Sequence, residues 1–317
     1  MTDNAPIEAN SNKPSIVVVC GPTGIGKTSA AIEIAEVFGG EIISADSMQI
    51  YRLMDIGTAK PTASEKARIP HHLIDIIDPD EDFDAARFIS LARPLVFDLH
   101  RGGTLPVIAG GTGLYIKALL HGLFQARPPE PEIRRRLKDE AAAFGPETLH
   151  ERLAHIDPQA AVRMHPNDTF RIIRALETYE ITGRTLSDHH RTHGFVDSPF
   201  RTFKIGLHME RDQLYQRINR RVDRMIAAGL LEEVKSLLQR GYSEDLKSMQ
   251  AIGYRQMVDY LKGRLEWEEA LRILKRDSRR YAKRQMTWFK ADPSIGWIDP
   301  QRLQDVYPRI KNFLDCV

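Results

Sequence analysis

A chain of 317 residues is long enough for one large or two modest domains with a sizeable core. Charged residues at 28% and hydrophobic residues at 42% match a soluble globular protein, and a net charge of only +2 means that affinity for a polyanion must come from local patches. The two cysteines, Cys20 and Cys316, lie at opposite ends, which argues against a disulfide framework or a zinc site and fits a reducing compartment. No apolar run approaches the roughly 20 residues of a membrane span.

Residues 1–13, MTDNAPIEANSNK, are polar, lack the apolar stretch of a signal peptide and read as a disordered tail of a cytoplasmic protein. Ile16 to Cys20 (IVVVC) reads as a buried parallel strand. A glycine loop follows, then a helix over Lys27 to Phe38 stopped by Gly39 and Gly40. Further strands are expected at Glu41 to Ser44, His72 to Ile77 and Leu105 to Ala109. Asp84 to Arg101 reads as a helix with a kink at Pro94, closed by Gly102 and Gly103. Strand alternating with helix is the α/β signature. From 123 to 201 the pattern is helical, including PEIRRRLKDEAAAF, ETLHERLAHI and TFRIIRALETYEIT, and reads as a domain inserted into the core. The core, begun at residues 14–122, resumes over 202–317. There FKIGLHM (203–209) reads as a strand, and helices are expected at Asp212 to Ala228, Leu230 to Arg240, Met249 to Lys262 and Glu266 to Lys290, with a last strand at Gly296 to Ile298.

The loop GPTGIGKT, comprising Gly21, Pro22, Thr23, Gly24, Ile25, Gly26, Lys27 and Thr28, has the form G-x-x-x-x-G-K-[ST] between a strand and a helix. Its glycines let backbone amides turn around a phosphate, Lys27 adds a charge, and the Thr28 hydroxyl can hold Mg²⁺. The helix points its positive end at the same anion. A kinase or ATPase adds an acid at the end of another apolar strand. LPVIA runs instead into Gly110-Gly111-Thr112-Gly113; the strand-end acid is Asp46, in IISADSMQIY. That position suits a catalytic or metal role, or else a turn Asp that caps the next segment.

Three basic clusters stand out: Arg134 to Arg136; Arg217, Arg220, Arg221 and Arg224; and Lys275, Arg276, Arg279, Arg280, Lys283, Arg284 and Lys290, the last ending beside Trp288 and Phe289. Cations next to an aromatic ring suit a nucleic-acid backbone and unstacked bases, whereas a charge run by itself is equally a solvated helix face. An Arg of the 217–224 helix can also reach bound phosphates. His71, His72, His189 and His190 have no ligand-like companions and read as structural or surface residues.

Together these pieces resemble the bacterial tRNA dimethylallyltransferases. The resemblance runs over nearly the whole chain after the tail. Beyond the phosphate loop it rests on ISADSMQIYRLMDIGTAKP (43–61), HHLIDIIDP (71–79), IAGGTGLYIKALLHGL (108–123), HPNDTFRIIRALE (165–177), QAIGYRQM (250–257) and YAKRQMTWF (281–289). It implies a P-loop NTPase-like α/β core with a parallel sheet and an inserted all-helical domain. It also implies transfer of a dimethylallyl group from dimethylallyl diphosphate to the N6 amine of the adenosine 3′-adjacent to the anticodon, in tRNAs reading codons that start with U. By the same resemblance Asp46 is the general base, Thr112 lies beside the adenine, Arg221 contacts the donor's diphosphate, and Mg²⁺ is the cofactor. The tRNA-binding positions it implies are Asp46, Ser47, Met48, Gln49, Thr112, Arg134, Phe170, Arg171, Ile172, Ile173, Arg174, Gln250, Ala251, Ile252, Gly253, Tyr254, Arg255, Lys283, Arg284, Gln285, Met286, Thr287, Trp288, Phe289 and Lys290. Two positions depart from the family pattern: Met48 stands where many relatives carry Arg, and Phe170 where many carry Gln. The zinc finger of eukaryotic relatives is absent, as two cysteines require.

Two rival readings share parts of this pattern. A small-molecule or nucleoside kinase using ATP would have the same loop, but LPVIA lacks the strand-end acid and a small substrate needs no basic helices. A non-catalytic RNA-binding protein would not need Lys27, Thr28 and Asp46 together. The absence of a coiled coil leads to the expectation of a monomer.

Overall fold

The run IVVVC has no charged side chain and becomes the middle of a sheet, with Ile16 to Cys20 all buried. The structure, a computed structural model, describes residues 13–122, 130–193 and 198–316. Apart from Lys13, the expected tail therefore lies outside the described residues, as does Leu123, the expected first residue of the insertion.

The strands are β1 (Ser15–Cys20), β2 (Gly40–Ser44), β3 (His71–His72), β4 (Leu105–Gly110), β5 (Arg201–Leu207) and β6 (Gly296–Ile298). They form one sheet in the order β3-β2-β4-β1-β5-β6, and every pairing is parallel. β1 sits between β4 and β5, with Val17 opposite both Val107 and Phe203. Parallel strands need crossovers, and helices supply them. The first is α1 (Lys27–Phe38), whose Ala30, Ala31, Ile32, Ile34 and Ala35 are buried. Then come α2 (Ala63–Arg68), α3 (Ala85–Arg101), which runs on through Pro94, and α4 (Gly113–His121).

Two expected elements are shorter than their sequence suggests. HLIDII is not a strand beyond His72, because Leu73 and Asp75 adopt left-handed backbone conformations with φ of 60° and 57°. The chain returns only as a single parallel bridge between Tyr51 and Ile77. The Asp75 carboxylate explains the turn: it meets the ammonium groups of Lys60 and Lys66 instead of facing out from a pleat. Similarly, the helix expected from Met249 begins only at Tyr254, after Gly253 at φ 102°, while Met249 is buried in the preceding turn. The strand expected at 203–209 is displaced to Arg201–Leu207.

The described residues fall into two compact units: one contains those up to Leu120 and from Pro199 onward, the other those between His121 and Ser198. The second unit holds α5 (Pro131–Phe144), α6 (Pro146–Ile156), α7 (Pro158–Val162), α8 (Thr169–Thr182) and α9 (Leu186–His193). Its core is Leu137, Leu149, Leu153, Ile172, Ile173 and Leu176 with small alanines. In the first unit the chain continues after β5 through α10 (Arg211–Ala227), α11 (Leu230–Gln239), α12 (Tyr254–Leu261), α13 (Trp267–Lys290) and α14 (Tyr307–Asp315).

Candidate active site

The phosphate loop leaves the carboxyl end of β1 and runs into α1. Gly26 caps that helix at φ 105°, a conformation a side chain would strain. Lys27 is half-buried, and its Nζ donates to the Pro22 carbonyl at 2.9 Å. Burial pulls its ammonium down to about 8; nearby Asp46 opposes that shift and Arg221 adds to it. The loop and helix start form one end of a cleft of about 1100 Å³.

α10 supplies the facing cations. Its Leu214, Ile218 and Val222 are buried, which turns Arg217, Arg221 and Arg224 along the cleft. The Arg221 guanidinium is held below its ordinary value, first by burial and then by Arg224, with Asp46 opposing. Lys27, Arg217, Arg221 and Arg224 thus converge with one carboxylate, Asp46, among the cleft residues near the loop. Like charges this close are a standing cost that a bound polyanion relieves.

Asp46 follows β2. Its Oδ1 accepts from the Met48 N–H at 2.8 Å and the Gln49 N–H at 3.3 Å, so it does cap a turn. It also lines the cleft, and those bonds leave Oδ2 for another partner. The capping and catalytic readings of Asp46 are therefore compatible. Thr112 lies next to this turn: its Oγ1 accepts from the Ser47 N–H at 3.1 Å, and its own N–H donates to the Ala45 carbonyl at 3.2 Å. The Ser44 hydroxyl donates to the Gln49 amide oxygen at 3.0 Å, and the Gln49 amide nitrogen donates to the Ala59 carbonyl at 3.2 Å.

The cleft's outer wall is the DIGTAKP segment. Glu233 holds it, accepting from the N–H groups of Asp55, Ile56 and Gly57 at 2.8, 2.8 and 3.1 Å and from the Tyr254 hydroxyl at 2.7 Å. Three successive amides around a carboxylate form an anion nest. Lys60, whose side chain is 3% exposed, donates to the Tyr51 carbonyl and pairs with Asp55 and Asp75. Its charge is spent on the fold.

Two cleft residues have places that the sequence reading does not give them: it assigns Tyr281 no role and expects Gln285 at the RNA. Tyr281 lines the cleft, and burial pushes its hydroxyl up to about 12, so it stays protonated. Gln285 is buried and bonds to the phosphate loop, not to solvent. The motif YAKRQMTWF contains both, but only their spacing on a helix face separates them from their exposed neighbours.

The proposed RNA positions sort by exposure. Gln250, Arg255, Lys283, Arg284, Thr287, Trp288 and Lys290 are exposed, as are Phe170 (76%) and Arg171 in the helical unit. Ser47, Met48, Gln49, Thr112, Arg134, Arg174, Ala251, Ile252 and Met286 are half-buried. Ile172, Ile173, Gly253, Tyr254, Gln285 and Phe289 are buried. For Ile172, Ile173 and Phe289 this is the packed side of a helix that shows its other face outward. Arg134 and Arg174 both pair with the fully buried carboxylate of Glu177, at 2.9 and 2.7 Å. Within the C-terminal cluster, Lys275 pairs with Asp223, Arg276 with Asp277, and Arg279 donates to the Asn219 amide. Lys283 and Lys290 have no ion pair among the described residues.

Among the described residues, no helix is long and apolar enough to cross a membrane. The family described as IPP transferase matches residues 49–292, and one described as isopentenyl transferase matches residues 14–74. The tRNA dimethylallyltransferase of Desulfosudis oleivorans is 55% identical over 95% of this chain and 96% of that one. That of Syntrophobacter fumaroxidans is 52% identical over 93% and 86%. A solved tRNA isopentenylpyrophosphate transferase from Bacillus halodurans superposes with a TM-score of 0.72 at 45% identity, over 96% of this chain and 97% of that one. A eukaryotic dimethylallyltransferase solved while acting on tRNA gives a TM-score of 0.75 at 30% identity, over 90% of this chain and 73% of that one.

Proposed function

Because the chain belongs to the IPP transferase family, whose members include the tRNA dimethylallyltransferases, we propose that its cleft binds dimethylallyl diphosphate and delivers the prenyl group to tRNA. The chain is a transferase that modifies tRNA by dimethylallyl transfer. The acceptor is the N6 amine of the adenosine 3′-adjacent to the anticodon, in tRNAs reading codons that start with U. The observation that carries this reading is the meeting of Lys27, Arg217, Arg221 and Arg224 with Asp46 around one cleft.

In the reaction a C–N bond forms at the prenyl carbon as its C–O bond to diphosphate breaks. Negative charge grows on the departing diphosphate. The loop amides, Lys27 and Arg221 stabilise it where it develops, which lowers the barrier more than it tightens the ground state. The adenine amine is a weak nucleophile because its lone pair is delocalised into the ring. Asp46, through Oδ2, accepts its proton as the bond forms. Thr112 sits beside this carboxylate's turn and orients the base.

Thr28, half-buried at the start of α1, is the protein oxygen offered to Mg²⁺. No three His, Cys, Asp or Glu side chains among the described residues converge on a metal-sized space. That donor set fits a cation held mainly by diphosphate oxygens and water. When bound, Mg²⁺ supplies neutralising charge for the leaving group.

The target base must leave the anticodon-loop stack, which costs about a few kcal/mol. Exposed Lys283, Arg284 and Lys290 offset this through phosphate contacts, and Trp288 and Phe170 through stacking. The helical unit contributes Phe170 and Arg171 to the anticodon stem-loop.

The test incubates the purified protein and Mg²⁺ with labelled dimethylallyl diphosphate and an anticodon stem-loop carrying that adenosine, with a parallel assay for ATP consumption. Transfer without ATP use is expected. ATP consumption without transfer would overturn the reading in favour of a kinase.

A further inference from the structure

We propose that Gln285 is a positioning residue, tying the phosphate loop to the Gly110–Gly113 turn from inside the helix whose other face meets RNA. This rests on the prenyl-transfer reading. The Gln285 side chain is 7% exposed. Its Oε1 accepts from the Thr23 N–H at 2.8 Å, and its Nε2 donates to the Gly111 carbonyl at 2.9 Å. One buried amide thus spans the loop that holds the leaving group and the turn that carries Thr112. Donor and acceptor are both used, so only one orientation of the amide satisfies the site.

The turn is moulded on α13. A Cβ on Gly111 would lie 2.3 Å from Gln285 Nε2, and one on Gly113 would lie 2.1 Å from Trp288 Cδ1. Tyr281 and Gln285, four apart, share one helix face, and Trp288, 42% exposed, stands at its border with the exposed face. Tyr281, one turn before Gln285 on this helix, lines the cleft with it. Lys283, Arg284, Thr287 and Lys290 are exposed on the same helix. The buried face therefore fixes the distance between leaving group and nucleophile, while the exposed face carries RNA affinity. Misplacing reacting groups by about 1 Å can cost about 100-fold in rate.

The experiment compares wild type, Gln285→Met and Gln285→Glu, reading kcat and the KM for the stem-loop. Met fills the same volume but leaves the Thr23 N–H and the Gly111 carbonyl unpaired. Its kcat should fall about 10- to 100-fold with the stem-loop KM within about twofold. Glu can accept from Thr23 but can donate to Gly111 only when protonated, so its kcat relative to wild type should recover as pH falls. The profile is read between about pH 5 and 7, where the neighbouring Lys27, at about 8, and Tyr281, at about 12, both keep their protons. Unchanged kcat in Gln285→Met would overturn the proposal, and a loss confined to stem-loop KM would overturn it and make Gln285 an RNA contact. If the Met variant does not fold, a pH-independent ratio for Gln285→Glu overturns it equally. A wild type that transfers no label sinks the underlying reading instead.

Discussion

Lys27→Met should make the ligand-free protein more stable while removing its activity. In the fold the Lys27 ammonium titrates at about 8 against an ordinary 10.5. A gap of roughly 2.5 pH units at ~1.4 kcal/mol each is a penalty of about 3 kcal/mol at neutral pH. The sign follows from proton binding: between about 8 and 10.5 the unfolded chain holds the proton that the native protein has released. Wild-type stability therefore rises with pH across that window, and the penalty is fully present below it. Methionine keeps the apolar stem and removes the charge. It also forfeits the bond to the Pro22 carbonyl, worth about 1 kcal/mol. The remaining gain of about 2 kcal/mol corresponds, for a chain of 317 residues, to a Tm higher by about 3 °C. The assay is thermal unfolding of both proteins without ligands at pH 7 and above pH 10.5. The gap should close at the higher pH, and added diphosphate should stabilise the wild type alone. A variant less stable than wild type at pH 7, or an equal gap at both pH values, would refute the electrostatic argument.

Asp46→Asn keeps the turn-capping oxygen but cannot take a proton; kcat should fall about 10²- to 10⁴-fold with stem-loop affinity unchanged in a filter-binding assay. Chelating divalent cations with EDTA should stop transfer and added Mg²⁺ should restore it, with Thr28→Val needing more Mg²⁺ for half-maximal rate. Glu233→Gln leaves one acceptor oxygen for three backbone N–H groups and the Tyr254 hydroxyl; stability should fall by about 1–3 kcal/mol in urea denaturation, and the donor KM should rise as the DIGTAKP wall loosens.

The parallel core was legible because its strands are short apolar runs between glycine turns, and because the phosphate loop has to sit between a strand and a helix. HLIDII misled because its alternation is real, but a lysine pair draws Asp75 into a left-handed turn. That is a contact between positions no local pattern relates. Asp46 was legible from its place at a strand end. The role of Glu233 was not, since an acid on an amphipathic helix gives no sign that three distant amides surround it. Motif ranges carried RNA contacts as continuous runs, whereas a helix alternates buried and exposed faces. Ile172, Ile173 and Phe289 therefore belong to cores inside otherwise accessible segments.

The pairing of β1 with β5 sets an order of events during synthesis. Ser15 lies opposite Arg201, 186 residues later in the chain. At about 5–20 residues per second, one edge of the most apolar strand waits roughly 10–40 s for its neighbour to be made. Within that interval the helical unit, whose core is formed from its own nearby helices, can already fold. Nascent chains halted before Arg201 should therefore show a protease-resistant helical fragment beside a protease-sensitive, aggregation-prone amino-terminal segment. Equal resistance in both would show that β1 does not wait for β5.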